Sequence, residues 1–115
     1  MEQYSSLFFN KTATQNANSE FKVEDFATFG NIVISTTEQF NGSTATIQLF
    51  GSNDGRFYAP VYQDDNKTLM KFTLASNKQY TWYFRRFLFR YYKVSYTAGD
   101  TTDGTLTANF LGKNE

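Results

Sequence analysis

Strict alternation of apolar and polar side chains near the C-terminus constrains this chain more than any other feature. Every second residue is apolar over residues 92–96, and the same period returns over residues 106–110. A period of two places successive side chains on opposite faces of a β-strand. The polar segment between them, residues 98–104, contains two glycines and is typical of a turn. The pattern therefore predicts two strands joined as a β-hairpin, whose large apolar inner face a second layer must cover.

Short apolar runs separated by turn residues continue this pattern upstream. Further strands are predicted at residues 20–29, 31–36, 44–52, 57–62, 69–74 and 80–86. An Asn-Gly pair at residues 41–42 is a strong turn signal. The Asn-Asp-Gly sequence at residues 53–55 is the clearest hairpin turn, because Asp-Gly tolerates the positive φ of a type I′ turn. Pro60 cannot donate to a ladder, so its strand is predicted to lie at an edge or to be bulged.

The number of strands defines the fold class. Seven to nine short strands without helical periodicity predict an all-β fold, a single antiparallel β-sandwich spanning residues 20–115. Jelly-roll and immunoglobulin-like strand orders both remain open, because local pattern does not determine which strands pair. Residues 1–19 are predicted to form a polar N-terminal arm or an edge strand. In the arm interpretation, the apolar island of Leu7, Phe8 and Phe9 anchors this segment against a neighbouring subunit.

Two residue types that active sites commonly use are absent from the chain, cysteine and histidine. Their absence excludes disulfides, cysteine nucleophiles, serine–histidine pairs and the commonest metal ligand. Many of the carboxylates lie in predicted turns, where they stabilise the turn itself. These are Asp54, Asp64, Asp65, Asp100 and Asp103. The two acidic turns, at residues 64–66 and 100–103, do not match the twelve-residue calcium-binding loop. No phosphate-binding glycine motif occurs. We therefore expect no enzyme activity, no cofactor and no bound metal.

Positive charge is concentrated in one part of the chain, although the formal net charge is zero. Residues 66–99 contain seven lysines and arginines and no acid, and aromatic residues interleave with the arginines. Because Tyr, Trp and Arg are the usual anchors of protein interfaces, this pattern predicts a docking surface. Its candidate residues are Arg85, Arg86, Arg90, Lys93, Trp82, Tyr83 and Tyr91. Two alternatives stay open: a solvated face over an aromatic core, and single-stranded nucleic-acid binding, for which no recognised motif is present.

Several short segments resemble small β-sandwich proteins of tailed bacteriophages. The segments are residues 51–55 (GSNDG), 57–61 (FYAPV), 89–97 (FRYYKVSYT) and 104–113 (GTLTANFLGK). The resemblance covers residues 44–113. It implies a role on the virion as a head-decoration, fibre or tail component. The same layout is similar to discoidin-like carbohydrate-binding sandwiches, although Phe57 and Tyr58 stand where those proteins commonly carry a tryptophan.

The expected function is that of a non-enzymatic structural component of a phage virion. It would attach to capsid or to fibre and tail proteins through its aromatic and basic surface. These virion proteins are the expected partners, and we expect a homo-oligomer that is assembled in the host cytoplasm. No apolar run is long enough to span a membrane, so no membrane partner is expected. The alternative is a carbohydrate-binding module for host-surface glycans, with Trp82 or Tyr58 stacking on sugar faces.

Overall fold

The computed structural model describes residues 3–63 and 67–114, and of residues 3–11 it describes the backbone alone. These parts of the chain contain nine strands and no helix, hence no helix able to cross a membrane. The strands are β1 (Gln3–Thr12), β2 (Ala17–Lys22), β3 (Phe29–Thr36), β4 (Thr46–Ser52), β5 (Ala59–Pro60), β6 (Lys71–Thr73), β7 (Gln79–Phe84), β8 (Tyr91–Thr97) and β9 (Thr105–Lys113). The prediction of an all-β sandwich is confirmed.

The strands form two antiparallel sheets. The first sheet has the order β1-β9-β3-β7, and the second has the order β2-β8-β4-β5, with β6 also pairing with β4. Successive strands mostly alternate between the sheets, and this order is that of a jelly roll. In the immunoglobulin-like order the first two strands share a sheet, whereas β1 and β2 lie in different sheets here. The jelly-roll alternative is therefore the correct one.

The predicted C-terminal hairpin is wrong, although its strands are real. β8 pairs with β2 and β4 in the second sheet, while β9 pairs with β1 and β3 in the first. Residues 98–104 therefore cross from one sheet to the other. Both strands do bury the predicted apolar faces: Tyr92, Val94, Tyr96, Leu106, Ala108 and Phe110 are at most 1% exposed. Alternation determines which face of a strand is buried. It does not determine whether the next strand in the chain lies beside it in the same sheet or across the core in the facing sheet.

An aromatic cluster fills the interior around Tyr92. Its ring stacks on Phe21 with centroids 5.8 Å apart and lies 5.3 Å from Phe84 and 6.1 Å from Phe87. Burial raises the pKa of the Tyr92 phenol to about 12, against the opposing effect of nearby backbone groups. The neutral phenol is therefore the form that the core accommodates.

Several predicted strands are shorter than the sequence pattern indicated, among them the one at residues 69–74, of which only β6 remains. The strand predicted at residues 20–29 ends at Lys22, because the chain turns soon afterwards, with Ala27 donating its N–H to the Glu24 carbonyl. The strand predicted at residues 57–62 is reduced to β5, which lies at a sheet edge as Pro60 required. The turn before it is a longer loop and not a two-residue type I′ turn, because the Asp54 carboxylate accepts the N–H groups of Arg56 and Phe57.

A carboxylate network holds the end of the sandwich at which β8 crosses to β9. The Asp100 carboxylate accepts hydrogen bonds from the N–H groups of Ser43 and Thr44, at 2.8 and 2.9 Å, and from both hydroxyls of these residues. The Ser43 hydroxyl, followed by the two N–H groups, holds the pKa of Asp100 well below its usual value. The network ties the turn after β8 to the connection between β3 and β4.

Replacing Asp100 with asparagine is expected to lower stability at neutral pH and to flatten its acid dependence. Because the folded-state pKa is depressed, the carboxylate stabilises the fold above pH 3.8 and loses this effect as the pH falls towards the folded-state value. Urea unfolding at a series of pH values between about 2 and 7 measures both effects. Asp103→Asn removes a charge from the same turn without touching these hydrogen bonds and is the matched control. Parallel curves for wild type and Asp100→Asn would contradict the assignment.

Candidate functional site

A groove opens where the edges of the two sheets face each other. On one side lie Val61, Tyr62 and Met70 of the second sheet's edge, and on the other lie β7 and the loop that follows it. The groove has a volume of about 600 Å³. We call it the corner groove. Val61 and Met70 shape its first wall because both are held beside β4: Leu49 accepts a hydrogen bond from Val61 and donates one to the carbonyl of Met70.

The corner groove has a buried apolar floor and an exposed aromatic and basic rim. Phe84 and Tyr92 form part of the floor and are 7% and 1% exposed. The rim carries Tyr62, Tyr83 and Leu88, which are 48%, 75% and 66% exposed. Among the described side chains only four large hydrophobics are exposed, so three of the four line this one groove. Such clustering of exposed apolar surface is typical of an interaction site.

The loop after β7 exposes Leu88 because its neighbours are anchored in the core. The Phe87 ring lies 5.2 Å from the ring of Phe84, and the Phe89 ring meets Tyr92 edge-on at 6.0 Å. Gly51 makes room for Phe89, since a Cβ at Gly51 would lie 2.5 Å from the Phe89 ring. Alternate residues of this loop therefore point inward, and Leu88 is left to face solvent.

The positive stretch of the sequence is divided by the fold. Arg85 and Arg86 are exposed and line the corner groove. Arg90 is exposed but forms an ion pair with Asp25 of the loop between β2 and β3. Lys93 lies on the outer face of the second sheet, where its ammonium group is 5.1 Å from the Phe50 ring centroid and 4.9 Å from that of Tyr58. The predicted basic surface is therefore not one continuous patch.

The aromatic members of the predicted docking surface also separate. Tyr83 lines the groove, and Tyr91 is half-buried on β8. Trp82 is 3% exposed and stacks on Phe72 with ring centroids 5.3 Å apart, so its inclusion in a surface site is wrong. Its position on β7 has the same parity as Tyr80 and Phe84, and this parity faces the core.

Leu7, Phe8 and Phe9 lie on β1, whose backbone pairs with β9. The ladder shifts register between Leu7 and Phe9, so this island interrupts an otherwise regular pairing. The side chains of residues 3–11 lie outside what the structure describes. The segment forms an edge strand of the chain's own sheet, and its anchoring role towards another subunit stays a prediction.

Asp54 is, like Asp100, a carboxylate with a structural role. Asp54 binds the N–H groups of Phe57 and Arg56 and the Ser52 hydroxyl, which lower its pKa. In the described part of the chain no group of three or more Asp and Glu residues is placed to hold a metal ion. Asp64 and Asp65 lie outside the described residues. The described lining of the corner groove contributes guanidinium, phenol and amide groups but no carboxylate.

Sequence reasoning identified Arg85, Arg86 and Tyr83 but missed Tyr62 and Leu88. The signal for Leu88 was present, because aromatic residues on both sides of it satisfy the core and leave the middle residue outside. No such signal marks Tyr62, whose place depends on the bridge that it forms with Leu69. No family model matches the chain, and no curated protein is significantly similar to it.

Proposed function

We propose that this chain is a non-enzymatic attachment module of a phage virion that docks on another virion protein through the corner groove. The observation that carries the docking proposal is the exposed set of Tyr62, Tyr83 and Leu88 around an arginine-lined groove with an apolar floor. Tyrosine and arginine are the residue types that most often dominate protein-interface energies. The virion role is supported by the sequence resemblance over residues 44–113.

Charge favours an acidic partner face. Arg86 is exposed at the rim, and a guanidinium forms charge-assisted hydrogen bonds that strengthen where docking excludes water. Burial of Leu88 and Tyr83 would supply the apolar contribution, on the order of 25 cal/mol per Å² of apolar surface removed from water. A partner with carboxylates around an apolar or aromatic protrusion fits both features. The expected homo-oligomer stays a prediction.

A glycan-binding role is the weaker candidate. Trp82 is buried, and the Lys93 ammonium lies against the ring of Tyr58. Burial raises the pKa of Tyr58, and the negative charge of Glu20 adds to the shift. Neither aromatic residue considered for sugar stacking therefore presents a fully open ring face. A glycan array with strong hits would revive this alternative.

Co-sedimentation with cognate phage particles tests the docking proposal. The double variant Arg86→Glu/Leu88→Asp is expected to bind at least about 30-fold more weakly, because it reverses a rim charge and removes an apolar anchor. Lys22→Glu makes the same charge change on β2, at the far edge of the second sheet, and is expected to bind like wild type. Equal binding by the double variant and wild type would refute the corner groove as the docking site.

A further inference from the structure

The edge of β7 differs from the other sheet edges in having no protection against a further strand. β1 carries a register shift, and β2 carries Glu20 and Lys22. β5 is two residues long and contains Pro60, and β6 is three residues long and begins with Lys71. Charges, bulges, prolines and short length are the usual devices that keep an edge from pairing with another chain. β7 has no charged residue and no proline, and its register with β3 is unbroken from Gln79 to Phe84.

The hydrogen-bond phase of β7 shows which backbone groups face this open edge. Thr36 donates its N–H to the Lys78 carbonyl, at 3.0 Å, and so defines a hydrogen-bonded pair between β3 and the residue before β7. Hydrogen-bonded pairs alternate along an antiparallel ladder. The N–H and C=O groups of Gln79, Thr81 and Tyr83 therefore point away from β3. In the described part of the chain no other strand pairs with β7 on that side.

The open edge and the corner groove are continuous. Tyr83 and Phe84 belong to β7 and also line the groove. A strand added beside β7 would run over the groove, and every second side chain of that strand would point between the sheets. The groove floor of Phe84 and Tyr92 and the buried Met70 on its wall would then contact apolar side chains of that strand.

Charge at the two ends of β7 indicates which strand would fit. Lys78 precedes β7, and Arg85 and Arg86 follow it, and all three side chains are exposed. A second copy of the chain, paired antiparallel about Thr81, would bring its Lys78 beside the arginines of the first copy. Like charges in such positions destabilise a strand pair. A segment with acidic residues at both ends would instead meet opposite charge at each end.

We propose that β7 binds an extended segment of a partner protein by strand addition, and that this segment is apolar at its centre and acidic at both ends. Main-chain hydrogen bonds to Gln79, Thr81 and Tyr83 would supply affinity, and the corner groove would select the inward side chains. This inference rests on the proposed docking function and names the partner's chemistry and its mode of binding.

Amide hydrogen exchange followed by NMR on the full chain tests this mode. In the free protein, the amides of Gln79, Thr81 and Tyr83 are expected to exchange at least about 100-fold faster than those of Tyr80 and Trp82. The probe is a synthetic peptide of about ten residues with alternating valine and threonine at its centre and two acidic residues at each end. At about 1 mM it is expected to slow the three outward amides at least tenfold.

Matched peptides separate strand addition from other binding. N-methylation of the peptide residues that face β7 is expected to abolish the effect, whereas N-methylation of the opposite parity should preserve it. A peptide with lysines in place of the end acids should not slow exchange. The inference is overturned if the acid-ended peptide leaves the three amides unchanged, if both methylated peptides act alike, or if slowing occurs without peptide as protein concentration rises. The last outcome would identify a second copy as the occupant.

Particle binding by Thr81→Pro distinguishes this inference from the proposed function. The proline removes an N–H that faces solvent and leaves the ladder with β3 intact, and Thr81→Val is the control that keeps the N–H. Wild-type binding by Thr81→Pro would overturn strand addition while the docking proposal survives. If the peptide slows exchange at β7 but the wild-type chain does not bind particles, strand addition survives and docking on the particle is refuted.

Discussion

Replacing Gly104 with alanine is expected to lower the free energy of unfolding by about 4 kcal/mol, one of the two largest losses that we expect from a single substitution. Gly104 has a φ of 103°, which L-residues rarely adopt. An added Cβ would lie 2.5 Å from the Cα and 2.7 Å from the backbone N of Phe40. Phe40 is 1% exposed, and the Gly104 carbonyl accepts a hydrogen bond from Ala13, so neither segment can move away freely.

Gly55→Ala is the matched control for this substitution. Gly55 also has a positive φ, of 77°, but the nearest atoms to an added Cβ are in the Tyr91 ring, at 3.3 Å. The control therefore introduces backbone strain without a backbone clash, and its expected cost is about 1–2 kcal/mol. Urea unfolding followed by the fluorescence of Trp82 measures both variants. Similar losses for the two variants would show that the contact with Phe40 is unimportant.

Tyr92→Ala is expected to have a comparable effect and to lower the free energy of unfolding by about 4 kcal/mol. The side chain is 1% exposed and lies within ring-contact distance of Phe21, Phe84 and Phe87. Removing it leaves a cavity that anchored neighbours on two sheets and the loop after β7 cannot readily fill. Because Tyr92 is also part of the floor of the corner groove, the variant should weaken particle binding beyond its effect on stability.

The adjacent residue provides the control. Tyr91 points to the outer face of the second sheet and is only half-buried, so Tyr91→Ala is expected to cost about 1 kcal/mol or less. Thermal or urea unfolding of the two variants compares neighbouring tyrosines on opposite faces of one strand. Equal losses would contradict the assignment of inward and outward faces on β8, on which the description of the groove floor depends.

For β8 and β9, the alternation of apolar and polar side chains was sufficient to predict which face is buried. Tyr92, Val94 and Tyr96 could be assigned to the interior because side chains alternate with a period of two, and this period is a property of the backbone alone. The same reasoning placed Pro60 at an edge, since a missing N–H is a local property. These inferences needed no knowledge of the strand's neighbours.

Strand pairing, and the surface that it leaves exposed, could not be predicted from local pattern and became known from the fold. An apolar face is buried equally well by either sheet of a sandwich, so the pattern could not show that β8 and β9 lie in different layers. The corner groove follows from that arrangement, because it forms between Tyr83 on one sheet and Tyr62 at the edge of the other, residues far apart in the chain. For β7, alternation places Trp82 and Tyr83 on opposite faces but does not show which face the second sheet covers. In the structure Trp82 is covered and Tyr83 is exposed.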